Sequence, residues 1–204
     1  MNEALKLKKK YKTARDKLFN SLIINNDGFI FNNHHTKLVD DVVRDIVKNI
    51  IKEYSIDDFA LIAVGGYGRN DLSPKSDVDL LFLYKKSNKN IKNFITTLNN
   101  NLWDVGLEVG ISFLTLKQVI IDSKKDIKTV TKFAESRHLI GDEDYYGEFV
   151  RSIKILIGRL NPLKLSEKKL LELVERHDYY LGIKSNLEPQ IKEGIGGLRD
   201  IHTI

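Results

Sequence analysis

Two carboxylates separated by one residue are the clearest chemical signal in this sequence of 204 residues. Asp77 and Asp79 open an apolar run that ends at Tyr84, which indicates a β-strand. Because side chains alternate along a strand, the two carboxylates share a face, with Cα atoms roughly 6.5 Å apart. Their repulsion and desolvation require a counter-charge, and a divalent cation is the commonest one. From the spacing alone, a solvated strand end or turn is the more common explanation of such a pair.

The residues ahead of the aspartates favour phosphate chemistry. An apolar run, Phe59–Val64, ends at Gly65 and Gly66, whose N–H groups can approach a phosphate without an intervening Cβ. Arg69 follows and can grip phosphate oxygens with its planar guanidinium. The spacing matches neither a P-loop nor a Rossmann fingerprint. Carboxylates that hold paired Mg²⁺ ions near such a turn would suit phosphoryl or nucleotidyl transfer.

The string GGYGRNDLSPKSDVDLLFL, residues 65–83, closely resembles the signature of the bacterial PII uridylyltransferase/uridylyl-removing enzymes. These enzymes belong to the DNA polymerase β-type nucleotidyltransferase superfamily. The usual family string has Gly-Glu at Asn70 and Asp71, a departure that conserves charge. Two later segments, AESRHLIGD (134–142) and SNLEPQIKEGIGGLRDIHTI (185–204), resemble the same family. The first of them suggests that Arg137 faces the nucleotide.

The resemblance implies a reaction and its site residues. UMP would pass from UTP to a tyrosine hydroxyl of the PII nitrogen-signalling protein, with release of pyrophosphate. Asp77, Asp79 and Glu108 would be catalytic and would hold Mg²⁺, with Mn²⁺ as a possible substitute. In the family the third acidic ligand comes from a neighbouring strand, which makes Glu108 the candidate and Asp104 the alternative. The implied nucleotide-binding residues are Gly65, Gly66, Arg69 and Ser76.

Three other functions remain open at this point. The chain resembles, less closely, nucleotidyltransferases with another acceptor, such as the adenylyltransferase of glutamine synthetase. A nucleotide-binding regulatory module without catalysis would not need the pair Asp77 and Asp79. A template-using polymerase or tRNA-end enzyme would need a basic groove with stacking aromatics, whereas many lysines here lie far from the motif. We therefore expect no nucleic acid partner.

Composition restricts the class of protein. The chain has no cysteine, which excludes disulfide scaffolds and thiolate metal sites, and its 42% of hydrophobic residues suffices for a core. Nothing resembles a signal peptide or a membrane span, so we expect a cytoplasmic protein without a membrane partner. The net charge of +5 owes much to an N-terminal lysine run, typical of a solvated helix face.

The patterns predict an α/β (α+β) fold with a small mixed twisted sheet. Residues 1–56 would form N-terminal helices, residues 57–140 the transferase core, and residues 141–204 a helical region. Three strands are predicted: Phe59–Val64, Val78–Tyr84 and Leu107–Thr115. The first two are apolar on both faces and should be central in the sheet. The predicted helices are 3–24, 36–54, 90–105, 116–122, 127–139, 145–160 and 167–181. Asp142 and Ser166 are expected N-caps, and His34 and His35 expected surface residues.

The C-terminal part carries two further signals. The glycines at 194, 196 and 197 mark a tight loop, and Lys192 and Arg199 keep an anion-binding role open. His177 and Asp178 lie within a helical pattern, and we assign them no catalytic role. The sequence stops at Ile204 in an apolar run without a C-cap, which is typical of a fragment. Family members continue into a phosphohydrolase domain, so we expect no uridylyl-removing activity from this chain.

Overall fold

A four-stranded mixed sheet organises the computed structural model, which describes residues 3–86, 89–183 and 190–202. The strands, in the order β3-β2-β1-β4 across the sheet, are β1 (Phe59–Val64), β2 (Val78–Tyr84), β3 (Val109–Leu114) and β4 (Ser136–Gly141). Strand β1 runs antiparallel to β2 and β4, and β2 runs parallel to β3. The predicted fold class, with a small mixed sheet and the first two strands at its centre, is confirmed.

Helices account for most of the rest of the described chain. They are α1 (Glu3–Asn25), α2 (Gly28–Tyr54), α3 (Gly65–Gly68), α4 (Lys89–Val105), α5 (Leu116–Lys125), α6 (Ile127–Ala134), α7 (Glu143–Gly158), α8 (Pro162–Ile183) and α9 (Leu198–Ile201). The chain divides into two compact units, Met1–Leu156 and Ile157–Ile204. No helix within the described residues combines the length and the apolar character needed to cross a membrane.

Both faces of the sheet are covered, as the apolar strands require. On one face, Leu61 and Phe82 belong to a buried cluster that includes residues of α2 and α4. On the other face, Leu81 and Leu83 are fully buried, and α5 and α6 contact the strands there. A fully buried Leu or Phe contributes about 1.5–3 kcal/mol. The two helical layers therefore hold β1 and β2 rigidly, and Asp79 lies on the face that α5 and α6 cover.

The fourth strand was not predicted. The sequence suggested one helix over residues 127–139, but α6 ends at Ala134 and the chain enters β4 at Ser136. Pairing with β1, from Ala60 opposite Gly141 to Val64 opposite Ser136, outweighs the local helical pattern. Gly141 has φ +109°, and a Cβ there would lie 2.3 Å from the carbonyl oxygen of Phe59. This close approach explains why glycine ends the strand.

His35 is buried, so its predicted surface position is wrong. Helix α2 begins at Gly28, eight residues before the predicted start, with the Asp27 carboxylate accepting from the Ile30 N–H at 3.0 Å. This extension places His35 in a turn that packs under the β1–β2 connection. Its exposed fraction is 3%, and its Nδ1 lies 3.0 Å from the carbonyl oxygen of Leu72. His34, the preceding residue on the helix, is exposed as predicted.

Burial makes stability depend on the charge of His35. Desolvation lowers the pKa of His35, with a smaller contribution from Arg15, against the hydrogen bond to Leu72 that raises it. As the pH falls, His35 therefore binds a proton near pH 6.5 in the unfolded chain and only at a lower pH in the folded chain. The contribution of neutral His35 to the free energy of unfolding is therefore complete above about pH 6.5. It is lost as the pH falls through the lower pKa of His35 in the folded chain.

We expect the free energy of unfolding to fall between pH 7.5 and pH 5.5, and to fall less in His35→Gln. Urea denaturation at both pH values measures the difference. His34→Gln is the control, because it removes an exposed imidazole from the same helix. An equal fall in His35→Gln and wild type would exclude His35 as the titrating group.

In the second unit, α8 begins at Pro162 rather than near Ser166. Asn161 is the N-cap, since its Oδ1 accepts from the N–H of Leu163 at 2.9 Å and of Lys164 at 3.4 Å. Proline is favoured at the first helical position because its missing N–H would have no partner there. In the first unit, the predicted cap is confirmed: the Asp142 carboxylate accepts from the Tyr145 N–H at 2.9 Å.

The glycine loop before α9 closes around one of the chain's own carboxylates. Asp200 accepts from the Gly196 N–H at 2.7 Å and lies 2.9 Å from His177 Nε2, and it also pairs with Arg176. Burial alone would raise the pKa of Asp200, but these partners lower it. The backbone N–H that an anionic ligand would use at Gly196 is therefore already engaged, which favours the tight-loop interpretation of these glycines.

Candidate active site

A single helical turn connects β1 to the segment that carries the aspartates. Helix α3 comprises Gly65–Gly68, a segment for which the sequence predicts neither a helix nor a strand. Gly65 has φ +60°, a conformation that side chains with a Cβ rarely adopt. At Gly68, a Cβ would lie 2.1 Å from the carbonyl oxygen of Glu135, so this glycine lets the turn pack against the junction of α6 and β4. The glycines therefore fix the path of the chain in front of β2.

Asp79, the second residue of β2, has room around its carboxylate. A Cβ on Gly110, its neighbour on β3, would lie 3.1 Å from Asp79 Oδ1, and one on Gly65 would lie 3.7 Å from Oδ2. Two glycines from different elements thus leave space on both sides of the carboxylate. About a third of the Asp79 side chain, 35%, is exposed.

The counter-charge of Asp79 in the structure is an ammonium group. Lys132 on α6 donates from Nζ to Asp79 Oδ1 at 2.8 Å. The pair of aspartates predicts a cation that offsets their charge, but nothing in the sequence identifies this lysine as that cation. The two residues lie 53 positions apart, and no spacing rule joins them. A lysine on a short amphipathic helix gives no sequence signal that distinguishes it from a solvated one.

Asp77 and Glu108 lie at neighbouring positions at the same end of the sheet. Val78 pairs with Val109, so Asp77 and Glu108 directly precede a pair of parallel neighbours. The Val78 N–H donates to the Glu108 carbonyl oxygen at 2.8 Å, and both carboxylate residues are exposed. Nevertheless, no group of three or more His, Asp or Glu side chains close enough to hold a metal ion occurs in the described parts of the chain. The role of Glu108 as a third ligand, and of Asp104 as its alternative, stays a prediction.

Arg69 and Ser76 flank the aspartates in the connection between β1 and β2. Arg69 follows α3 and pairs with Glu135, and both side chains are about a third exposed. Exposed pairs of this kind contribute about 0–1 kcal/mol, so the guanidinium can exchange partners at little cost. Ser76 is partly buried, and its N–H donates to the Ser73 carbonyl oxygen at 3.1 Å. Their predicted contacts with a nucleotide remain predictions.

A buried cluster of Asp40, Arg137 and Tyr67 connects α3 to α2 and β4. Asp40 on α2, whose side chain is 8% exposed, accepts from Arg137 Nη1 at 2.6 Å and from Nη2 at 3.0 Å. The Tyr67 hydroxyl in α3 donates to the same carboxylate at 2.7 Å. Arg137 also donates to the Tyr67 carbonyl oxygen at 3.3 Å. The guanidinium of Arg137 is engaged by Asp40 and by the backbone of α3, and its position facing the nucleotide stays a prediction.

Electrostatics keep Tyr67 and Arg137 each in one protonation state. Burial, reinforced by the Asp40 charge, raises the pKa of Tyr67 well above its ordinary value, so the hydroxyl remains a donor. Burial favours the neutral form of Arg137, but the hydrogen bonds and charge of Asp40 outweigh it and raise the pKa. The sequence contained one usable signal: Asp40 falls on the apolar stripe of α2, between Val39 and Val43. A carboxylate at such a position requires a buried partner.

A cavity of about 430 Å³ lies beside Lys132 on the face covered by α5 and α6. Ligand-binding pockets commonly range from about 300 to 1,000 Å³, so a nucleoside would fit by size. Its lining residues are Ser112, Phe113, Leu114, Asp122, Thr129, Lys132 and Phe133. A smaller cavity of about 160 Å³ lies between α1 and α2, away from the aspartates. Lys132 thus connects Asp79 to the larger cavity.

The donor atoms available here suit a hard divalent cation. Carboxylate oxygens are the ligands that Mg²⁺ and Mn²⁺ prefer, and the chain offers no thiolate. The space that Gly65 and Gly110 leave around Asp79 is compatible with an ion at that carboxylate. Asp77, two residues earlier and exposed, would supply a second carboxylate.

Comparison with known proteins identifies two regions. Residues 43–144, half of the chain, match the family model described as "Nucleotidyltransferase domain", and residues 164–204 match "GlnD PII-uridylyltransferase". Similar curated proteins carry the name "Bifunctional uridylyltransferase/uridylyl-removing enzyme". One from Chromobacterium violaceum is 40% identical over 150 residues, which cover 71% of this chain and 17% of that protein. One from Nitrosospira multiformis is 32% identical over 205 residues, which cover 97% of this chain and 22% of that protein.

A third relative with the same name, from Vibrio atlanticus, is 37% identical over 190 residues, which cover 85% of this chain and 21% of that protein. The chain therefore spans about a fifth of the length of these curated relatives. The resemblance inferred from the signature at residues 65–83 and from the C-terminal glycine segment is confirmed.

Proposed function

Because this chain belongs to the nucleotidyltransferase domain family, we propose that it transfers UMP from UTP to a tyrosine hydroxyl of a PII signalling protein. The observation that supports the reaction most directly is Asp79, held at the start of β2 with space left around it by Gly65 and Gly110. The proposed acceptor, a PII protein, comes from the description of the matching family model. The proposed nucleobase, uracil, comes from the name of the curated relatives. We propose residues 57–140 as the transferase core, braced by the helices of residues 1–56.

The proposed bond changes follow from the chemistry of the substrates. The tyrosine oxygen attacks the α-phosphorus of UTP, the bond from that phosphorus to the bridging oxygen breaks, and pyrophosphate leaves with the bonding electrons. A free phenol has a pKa near 10 and is a poor nucleophile at neutral pH. Asp77, which is exposed, would accept the phenolic proton and release it to solvent.

The remaining residues would bind and orient the nucleotide. The N–H groups of Gly65 and Gly66 would bind phosphate oxygens, with Arg69 and Ser76 donating further hydrogen bonds. Asp77, Asp79 and Glu108 would hold Mg²⁺ or Mn²⁺, which supplies charge neutralisation at the triphosphate and polarisation of the attacking oxygen. The cavity beside Lys132 would receive the nucleoside.

The proposal is tested by incubating the protein with a PII protein, Mg²⁺ and each of four labelled nucleoside triphosphates. We expect label from UTP on a single PII tyrosine, located by mass spectrometry, and none on a PII variant with phenylalanine at that position. Label from ATP instead would indicate an adenylyltransferase. Label on the phenylalanine variant would exclude the proposed acceptor, and no label from any nucleotide would exclude transfer to PII.

A further inference from the structure

The ion pair between Lys132 and Asp79 requires an explanation beyond folding. Its two side chains are 38% and 35% exposed. Ion pairs this accessible to water contribute little to stability, because solvent screens the attraction and ordering two side chains costs entropy. The pair nevertheless places a cation directly on the carboxylate that the proposed function assigns to the metal.

The side chain of Lys132 passes close to the glycine turn. Its Cγ would lie 3.8 Å from a Cβ built on Gly65, and the side chain also lines the cavity of about 430 Å³. Lysine has a flexible four-carbon stem and an ammonium group that donates in three directions. Rotations of that stem can move the ammonium group away from Asp79 while α6 stays in place. The ammonium group can thus reach positions near the glycine turn and the cavity as well as Asp79.

We propose that Lys132 is an exchangeable counter-ion of Asp79 that becomes a ligand of the nucleotide triphosphate. Without metal and nucleotide, the ammonium group neutralises Asp79. A divalent cation at Asp79 repels the ammonium over a few ångströms, whereas the phosphates that accompany the cation attract it. The lysine therefore moves from the carboxylate to the triphosphate. This inference rests on the proposed function, since it assumes that the metal and the nucleotide bind at Asp79.

Two binding measurements on the same variant test this exchange without an activity assay. Mn²⁺ binding in the absence of nucleotide is followed by electron paramagnetic resonance, and binding of Mg²⁺ with a non-hydrolysable UTP analogue by calorimetry. We expect Lys132→Met to bind Mn²⁺ about three- to tenfold more tightly, because the competing ammonium is gone. We expect the same variant to bind the UTP analogue about tenfold more weakly, because a phosphate ligand is lost.

The control variant is Lys128→Met, which removes the same charge from an exposed position one turn earlier on α6. We expect both of its affinities to stay within about twofold of wild type, which measures the long-range effect of one lost charge. Lys132→Arg retains the cation and should keep most of the affinity for the UTP analogue. The opposite signs of the two shifts in Lys132→Met distinguish an exchanging lysine from a structural one, whose loss would weaken both.

Unchanged affinities in Lys132→Met, or a loss of both, would overturn the inference. If wild type binds no Mn²⁺ and no UTP analogue, the inference fails together with the metal role of Asp79. The opposite shifts without any labelling of PII would support the exchange and reject the proposed acceptor. Labelling of PII with unchanged affinities in Lys132→Met would support the acceptor and reject the exchange.

Discussion

Asp79→Asn is expected to lower the proposed UMP transfer about 10³-fold or more and to leave the metal-free protein folded. The substitution keeps the shape of the side chain and removes the charge that would hold the cation. Its effect on folding is limited, because the ion pair with Lys132 is exposed and contributes about 0–1 kcal/mol. For a chain of this size, that corresponds to a change in melting temperature of no more than about 4 °C.

Thermal melts with and without Mg²⁺–UTP separate the two roles of Asp79. Ligand at about 100 times its Kd adds about 2.7 kcal/mol to wild type, a rise of about 5–11 °C. We expect this rise to disappear in Asp79→Asn. Asp58→Asn is the matched control, since Asp58 pairs with Lys85 at the opposite end of the hairpin and its side chain is 66% exposed. A lower metal-free melting temperature with an intact ligand-induced rise would identify Asp79 as a structural residue.

The parts of the fold that the sequence predicted best are those determined locally. The bounds of β1 and β2 agree with the predicted runs Phe59–Val64 and Val78–Tyr84, because apolar residues at both parities specify strands covered on both faces. Asp79 lies on β2 as predicted, whereas Asp77 directly precedes that strand and the glycines before it form α3. Recognition of the family rests mainly on that stretch, together with the two later segments at residues 134–142 and 185–204.

The parts that the sequence did not predict depend on pairings between distant residues. Strand β4 forms because β1 offers an edge about 75 residues earlier, whereas the local pattern alone predicts a helix through residue 139. The pairing of Lys132 with Asp79 depends in turn on where α6 ends and β4 begins. Likewise, no sequence pattern joins Arg137 to Asp40 on α2, because the two residues lie 97 positions apart. In each case the partner lies far away in the sequence, where hydrophobic periodicity gives no signal.

Asp40→Asn is expected to be among the most destabilising conservative changes in the first unit. The carboxylate is buried and accepts from both the Arg137 guanidinium and the Tyr67 hydroxyl. An amide of the same shape removes the negative charge and turns a donor toward Arg137, so a mostly buried cation loses its partner. Breaking a buried pair in this way costs about 3–5 kcal/mol. That loss lowers the melting temperature by about 6–20 °C.

Asp41→Asn is the control for this experiment, because the neighbouring carboxylate is 76% exposed and lies 3.8 Å from Arg44. We expect its melting temperature to stay within about 2 °C of wild type. Urea denaturation of both variants gives the free energies directly. Equal stability of Asp40→Asn and Asp41→Asn would show that the cluster contributes no more than a surface pair.

The same cluster should also affect nucleotide binding, because Tyr67 lies between Gly66 and Gly68 in the turn proposed to hold the phosphates. Tyr67→Phe removes one hydrogen bond to Asp40 and costs about 1–2 kcal/mol, so the variant remains folded at 25 °C. With the turn less firmly held, we expect the Kd for Mg²⁺–UTP to rise about three- to tenfold. Calorimetry at that temperature measures the change. An unchanged Kd in a destabilised variant would mean that Asp40, Arg137 and Tyr67 stabilise the fold without positioning the glycine turn.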